Sequence, residues 1–151
     1  MKHSIEVHSS AGSTSLEEAV AEAARTVLKM EKAEPGSLAI VLTDEKALRT
    51  ANRRYAGLDH ATDVLSFPDG EPQQDQEGVY FGDVLIAVPI AQQQADQRKH
   101  PLSDELTLLT VHGVLHLLGY DHENPEEKGE MWSRQAEILR CLDVDPAIVK
   151  E

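Results

Sequence analysis

Three histidines, spaced by four and then six positions, stand in the block His112-Gly-Val-Leu-His116-Leu-Leu-Gly119-Tyr-Asp-His122. Four residues is about one helical turn, so His112 and His116 project from the same face of a helix. Gly119 stands where that helix has to end, because glycine accepts the left-handed conformation that closes a C-terminus. The chain then turns back and brings His122 towards the same point from a third direction. Three neutral imidazoles with a fourth position open are the ligand set of a catalytic zinc rather than a structural one. Imidazole also suits iron, nickel and copper, so the spacing predicts a metal without fixing which. The chemistry expected is metal-assisted hydrolysis.

A single histidine on an apolar helix is more often a hydrogen-bonded core residue, but the full spacing with its glycine stop is hard to reach by accident. The same ligand frame occurs in the zinc-protease signature H-E-x-x-H-x-x-G-x-x-H, whose glutamate is the general base. Here that position is Gly113, which argues for a different reaction on a similar frame. Asp121 has two readings of equal weight: a hydrogen bond that fixes a ligand imidazole, or a residue that orders the turn. Glu123 is the other carboxylate beside the block. His3, His8 and His100 have no partner at metal spacing and read as surface or strand-edge residues, and His60 reads as a loop residue.

The elements that must position these groups follow from periodicity and capping. A first strand is expected over His3 to His8, with Ile5 and Val7 inward. Ser15-Leu-Glu-Glu18 reads as a capping box for a helix to about Met30, with Leu16, Val20, Ala23 and Val27 as its core stripe. A short strand covers Leu38 to Leu42, and Thr43 or Asp44 caps a helix to Tyr55 that Gly57 ends. That helix sets Ala47, Leu48, Ala51 and Tyr55 inward and carries Lys46, Arg49, Arg53 and Arg54 on its other face. Such a basic face is more often solvated surface than a phosphate grip. Thr62 to Pro68 reads as a strand, Asp69 to Gly78 as a polar, acidic loop, and Tyr80 to Val88 as the strongest strand. Pro89 opens a helix to about Lys99, which His100-Pro101 stops. Ser103 caps the next helix, apolar nearly all round to Leu118 and therefore the buried centre. Asn124 and Pro125 open a last helix to about Cys141. The sum is an α+β single domain over residues 1–151, with a small mixed β-sheet packed against a central buried helix that carries the metal ligands.

Composition narrows the class. With 151 residues the chain is long enough for a real core, and its apolar and charged fractions are those of a globular protein. The longest apolar run, Val84 to Ala91, is too short to span a bilayer and contains Pro89. The first eight residues lack the apolar core of a secretion signal, and the lone Cys141 excludes an internal disulfide, so a cytoplasmic address is expected. A formal net charge of −13 guards against indiscriminate phosphate binding, yet a dication held by neutral histidines adds positive charge where it counts.

The histidine block, Thr62-Asp-Val-Leu-Ser-Phe-Pro68 and Gly82-Asp83-Val84 together resemble the YbeY family of bacterial endoribonucleases over nearly the whole chain. The resemblance implies zinc on His112, His116 and His122, single-stranded RNA as substrate, and a role in maturing the 3′ end of the small-subunit ribosomal RNA and in ribosome quality control. The family's Tyr-Arg-Gly stretch is Tyr55-Ala56-Gly57 here, so Arg54, or Arg53, is expected to supply the charge on the substrate phosphate. With no glutamate after His112, Asp121, a metal-bound hydroxide or the substrate's own 2′-hydroxyl is left as the base. A non-catalytic ribosome assembly factor with a structural metal and a small zinc metalloprotease are the rival readings.

Overall fold

Alternating inward and outward residues make β1 (His3–Ser9) a half-buried strand. The apolar run of β2 (Gly36–Thr43) is instead buried nearly throughout. A computed structural model describes residues 3–9, 14–56, 62–72, 78–121 and 124–148. The other elements are α1 (Thr14–Met30), α2 (Glu45–Ala56), β3 (Val64–Pro72), β4 (Val79–Ala87), α3 (Val88–Arg98), α4 (Leu102–Leu117), α5 (Pro125–Cys141) and a 3-10 turn at Pro146–Ile148. The strands lie in the order β1-β2-β4-β3. β1, β2 and β4 run parallel, and β3 pairs antiparallel with β4. This is the expected α+β architecture: a small mixed sheet with α4 against it, touching α1, α3, α5, β3 and β4.

α4 is central because its sequence leaves no polar stripe. Leu106, Val111, Val114 and Leu115 are fully buried. Each such side chain stabilises the fold by about 1.5–3 kcal/mol relative to exposure. From α1, Val20, Ala23, Ala24, Val27 and Leu28 complete this core. Ile5 and Val7 of β1 pack against it, as expected. No helix of the described residues is long and apolar enough to cross a membrane.

Several boundaries differ from the sequence reading. β3 runs on through Pro68 to Pro72 where a loop from Asp69 was expected. It is an edge strand, whose outer N–H groups need no ladder partner, so prolines fit there, and the register shifts between Pro68 and Glu71. α1 begins at Thr14, which places Ser15 inside the helix rather than at its cap. α4 begins at Leu102 with Pro101, not Ser103, at the cap position, and the Pro101 carbonyl accepts from the Asp104 and Glu105 amides. On α2, Asn52 is buried one turn after Leu48, a polar residue on the inward face. The Asp44 carboxylate caps this helix by accepting from the Ala47 amide at 2.8 Å. Gly57 and residues 73–77 of the expected loop lie outside the described residues.

His100 is not a surface residue. Its Nε2 lies 2.7 Å from Oε1 of Glu105, a fully buried carboxylate that also accepts from Arg98 Nη1 at 3.0 and 3.2 Å. The cluster ties the end of α3 to the first turn of α4. A buried carboxylate is tolerable only because both oxygens are paired.

Candidate metal centre

The C-terminus of α4 closes as the glycine stop predicts. Gly119 has φ 101°, its amide donates to the His116 carbonyl at 3.0 Å, and the Tyr120 amide donates to the Leu115 carbonyl at 3.1 Å. This pair of bonds is the Schellman closure, and it swings the chain back across the end of the helix. Tyr120 is then pinned: its hydroxyl donates to Glu31 Oε1 at 2.5 Å, while Arg134 Nη2 sits 2.6 Å from Glu31 Oε2. The carboxylate beside it, together with burial, raises the Tyr120 phenol above its ordinary value. α1, α5 and the turn after α4 are thus fastened together next to the histidines.

His112 and His116 do share one face. Their Nε2 atoms lie 3.2 Å apart, with the rings at 77° to each other. Two nitrogens on one tetrahedral zinc, at bonds of ~2.0–2.1 Å, are separated by about 3.3 Å. Gln135, only 1 % exposed, faces the other side of the first ring, its Oε1 3.0 Å from His112 Nδ1. A carbonyl oxygen accepts, so Nδ1 carries the proton and Nε2 presents its lone pair. The residues present fit a zinc-type ion. Among the described residues no group of three or more His, Cys, Asp or Glu side chains is gathered around one point. His122, like Glu123 and His60, lies outside the described residues.

Gly113 faces the sheet rather than the open side. A Cβ there would meet Val84 Cγ1 at 2.7 Å and Ser66 Oγ at 3.2 Å, and its carbonyl accepts from the Ser66 hydroxyl at 2.9 Å. A side chain there would force Val84 or the helix to shift, so a glutamate at this position would be crowded against the sheet and turned away from the open side. The glycine in place of the protease base thus lets α4 pack closely on β3 and β4.

The open side is a cleft of about 560 Å³ lined by Thr62, Asp63, Val64, Leu65, Ser66 and Pro68 from the β3 side, and by His112, His116, Gly119, Tyr120 and Asp121 from α4 and its turn. Asp121 therefore shares the cleft with the two histidines. Asp63 is held by Gln94 Nε2 at 3.3 Å. Behind His112 a smaller cavity of about 130 Å³ is lined by Asp63, Arg98, Trp132 and Gln135 among others. Trp132 meets the His112 ring edge-on, centroids 5.6 Å apart, and carries Lys128 Nζ 5.5 Å over its own ring. Arg54 and Arg53 are exposed on the last turn of α2 and are not among the residues that line the cleft.

Gln135 and Trp132 escaped the sequence reading, and Ser66 stood in it only as part of the Thr62 to Pro68 strand and motif. Gln135 left a signal: it stands four residues after Met131 and three before Ile138, a polar side chain on the buried stripe of α5. The Ser66 and Trp132 contacts depend on pairings distant in the chain and left none.

Similar chains occur among known proteins. Residues 3–143 match the family model Endoribonuclease YbeY. A protein named Endoribonuclease YbeY from Rhodococcus jostii is 41% identical over 144 residues, covering 90% of this chain and 80% of its own. The protein of that name from Thermobifida fusca is 39% identical over 142 residues, covering 90% and 92%. The solution structure of a Thermotoga maritima protein superposes with a TM-score of 0.58 at 24% identity, over 92% of this chain and 91% of that one, a likeness of fold. With a family match over residues 3–143 and relatives about 40% identical over most of their length, the chain belongs to the Endoribonuclease YbeY family.

Proposed function

We propose that this chain is a metal-dependent endoribonuclease that cuts single-stranded RNA, acting in the cytoplasm on the 3′ end of the small-subunit ribosomal RNA and in ribosome quality control. The observation that carries the reading is the convergence of the His112 and His116 Nε2 atoms, 3.2 Å apart, in a cleft large enough for a nucleotide. Membership of a family named for endoribonucleases supplies the substrate class.

His112, His116 and His122 would hold zinc, which supplies a Lewis acid for a phosphoryl oxygen and an acidified water. Gln135 would hold the His112 proton on Nδ1 and so direct the Nε2 lone pair to the metal. Gly113 lets α4 lie directly on β3, which sets the imidazoles against the strand that walls the cleft. Asp121, which lines the cleft on the same side as the histidines, would accept a proton there. The substrate's 2′-hydroxyl is the alternative nucleophile, and a 2′,3′-cyclic phosphate product would identify it. Arg54 is assigned to a phosphate flanking the cut, reached along the outside of α2.

His116→Ala tests the reading. The variant is expected to keep its helical circular dichroism, lose bound zinc by elemental analysis, and cut single-stranded RNA at least about a hundredfold more slowly. Cutting at the wild-type rate would overturn the assignment. Loss of fold together with loss of zinc would favour an assembly factor braced by its metal.

A further inference from the structure

The cleft has a wall whose chemistry the histidines do not use. Among the described strands β3 is an edge, and Val64, Leu65, Ser66 and Pro68 of it border the cleft. The hydrogen-bond phase of this edge can be read directly. The Ala87 amide donates to the Asp63 carbonyl at 2.9 Å, and the register continues with Val64 opposite Ile86 and Ser66 opposite Val84. In an antiparallel ladder, hydrogen-bonded pairs alternate with pairs whose polar groups point apart. Asp63, Leu65 and Phe67 therefore spend their main-chain groups on β4. Val64 and Ser66 turn both N–H and C=O outward, along the edge that no described strand covers.

Their side chains lie on the α4 face, with Ser66 Oγ bonded to the Gly113 carbonyl and Val64 Cγ2 3.4 Å from where a Gly113 Cβ would stand. The helix that carries the histidines thus holds the edge in place. Two donor–acceptor pairs, about 6.8 Å apart along the strand, are left facing the cleft.

We propose that this edge is a nucleobase ledge: the main-chain N–H and C=O of Val64 and of Ser66 bind the Watson–Crick edges of unpaired bases in the RNA beside the metal. The inference rests on the endoribonuclease reading and deepens it. Each of the four bases presents a donor beside an acceptor on that edge, so the ledge reads any base. A base already paired in a duplex has those atoms occupied. Single-strand selectivity with tolerance of sequence follows from main-chain atoms alone. A phosphate is the poorer occupant, because the outward carbonyls that flank the amides repel it. The same alternation suits an extended peptide, but nothing in the cleft beyond the edge itself selects one.

The test uses the zinc-loaded protein, unmodified oligouridine as the cleavage substrate, and two 2′-O-methyl oligouridines checked to stay intact during the binding titration. One carries a methyl on N3, which blocks the Watson–Crick edge, and the other a methyl on C5, which leaves it open. The N3-methyl oligomer is expected to bind about tenfold more weakly by fluorescence anisotropy, the loss of a neutral hydrogen-bond pair. In amide nuclear magnetic resonance spectra the C5-methyl oligomer is expected to shift Val64 and Ser66 while Leu65 and Phe67, already bonded to β4, stay put. Equal affinity of the two oligomers overturns the ledge, as do unmoved Val64 and Ser66 signals. Shifts produced by an extended peptide and not by RNA also overturn it and give the edge to a protein partner. If unmodified oligouridine is cut and N3 methylation leaves binding unchanged, the ledge alone falls. If unmodified oligouridine is neither bound nor cut, the endoribonuclease reading falls with it.

Discussion

Gln135 decides which nitrogen of His112 is available. Without an acceptor at Nδ1, the neutral ring distributes its proton over both nitrogens and Nε2 is a lone-pair donor only part of the time. The amide is buried on α5 and reaches His112 across the gap between two helices, so it also fixes the ring plane. Gln135→Leu keeps the bulk and removes the acceptor. Zinc affinity, measured by competition with a chromophoric chelator, is expected to fall about 10- to 100-fold. Trp132, the single tryptophan, touches His112 and offers a second readout through its fluorescence during the same titration. Unchanged affinity would show that packing alone orients the imidazole.

At the scale of the elements, the site is a helix laid on an edge strand with nothing between them but a glycine. Gly113→Ala inserts a methyl that would sit 2.7 Å from Val84 Cγ1, well inside contact distance. Overpacking of this kind costs about 1–3 kcal/mol, and here it also lifts α4 off β3. Chemical denaturation is expected to show that loss of stability, together with weaker zinc binding. A variant as stable as the parent would mean that the sheet yields locally and the close approach is not required. What the sequence disclosed at this scale divides by range. The turn of α4 between its two histidines, the glycine stop and the Asn124 cap, whose side chain accepts from the Glu127 amide at 2.9 Å, are settled by neighbours within a few residues and were legible. The continuation of β3 past Pro68, the burial of His100 on Glu105 and the approach of Gln135 depend on partners supplied by other elements. A linear pattern of apolar and polar residues does not carry that information. The sheet-facing side of Gly113 belongs to the second group: the missing glutamate was visible, and its steric cause was not.

For the molecule as a whole, the formal charge of −13 sets the terms on which it meets a polyanion. A nuclease that gripped many phosphates with lysine and arginine would show a steep loss of affinity with salt, since each phosphate neutralised on a single strand adds about 0.7 to the logarithmic slope. This chain has 14 basic residues against 27 acidic ones, and Asp63 and Asp121 stand in the cleft itself. If the histidines hold a metal, attraction would come from it, from the few cations on the outer face of α2, and from uncharged contacts such as the proposed β3 ledge. Binding of a short single-stranded RNA to the zinc-loaded protein is therefore expected to depend on salt with a slope of magnitude below about 2, corresponding to at most about three phosphates. Removal of the metal by chelation should abolish most of that affinity, because the remaining field repels the strand. A slope several-fold steeper, retained after chelation, would place the binding energy on the arginine face of α2 and leave the cleft a minor partner.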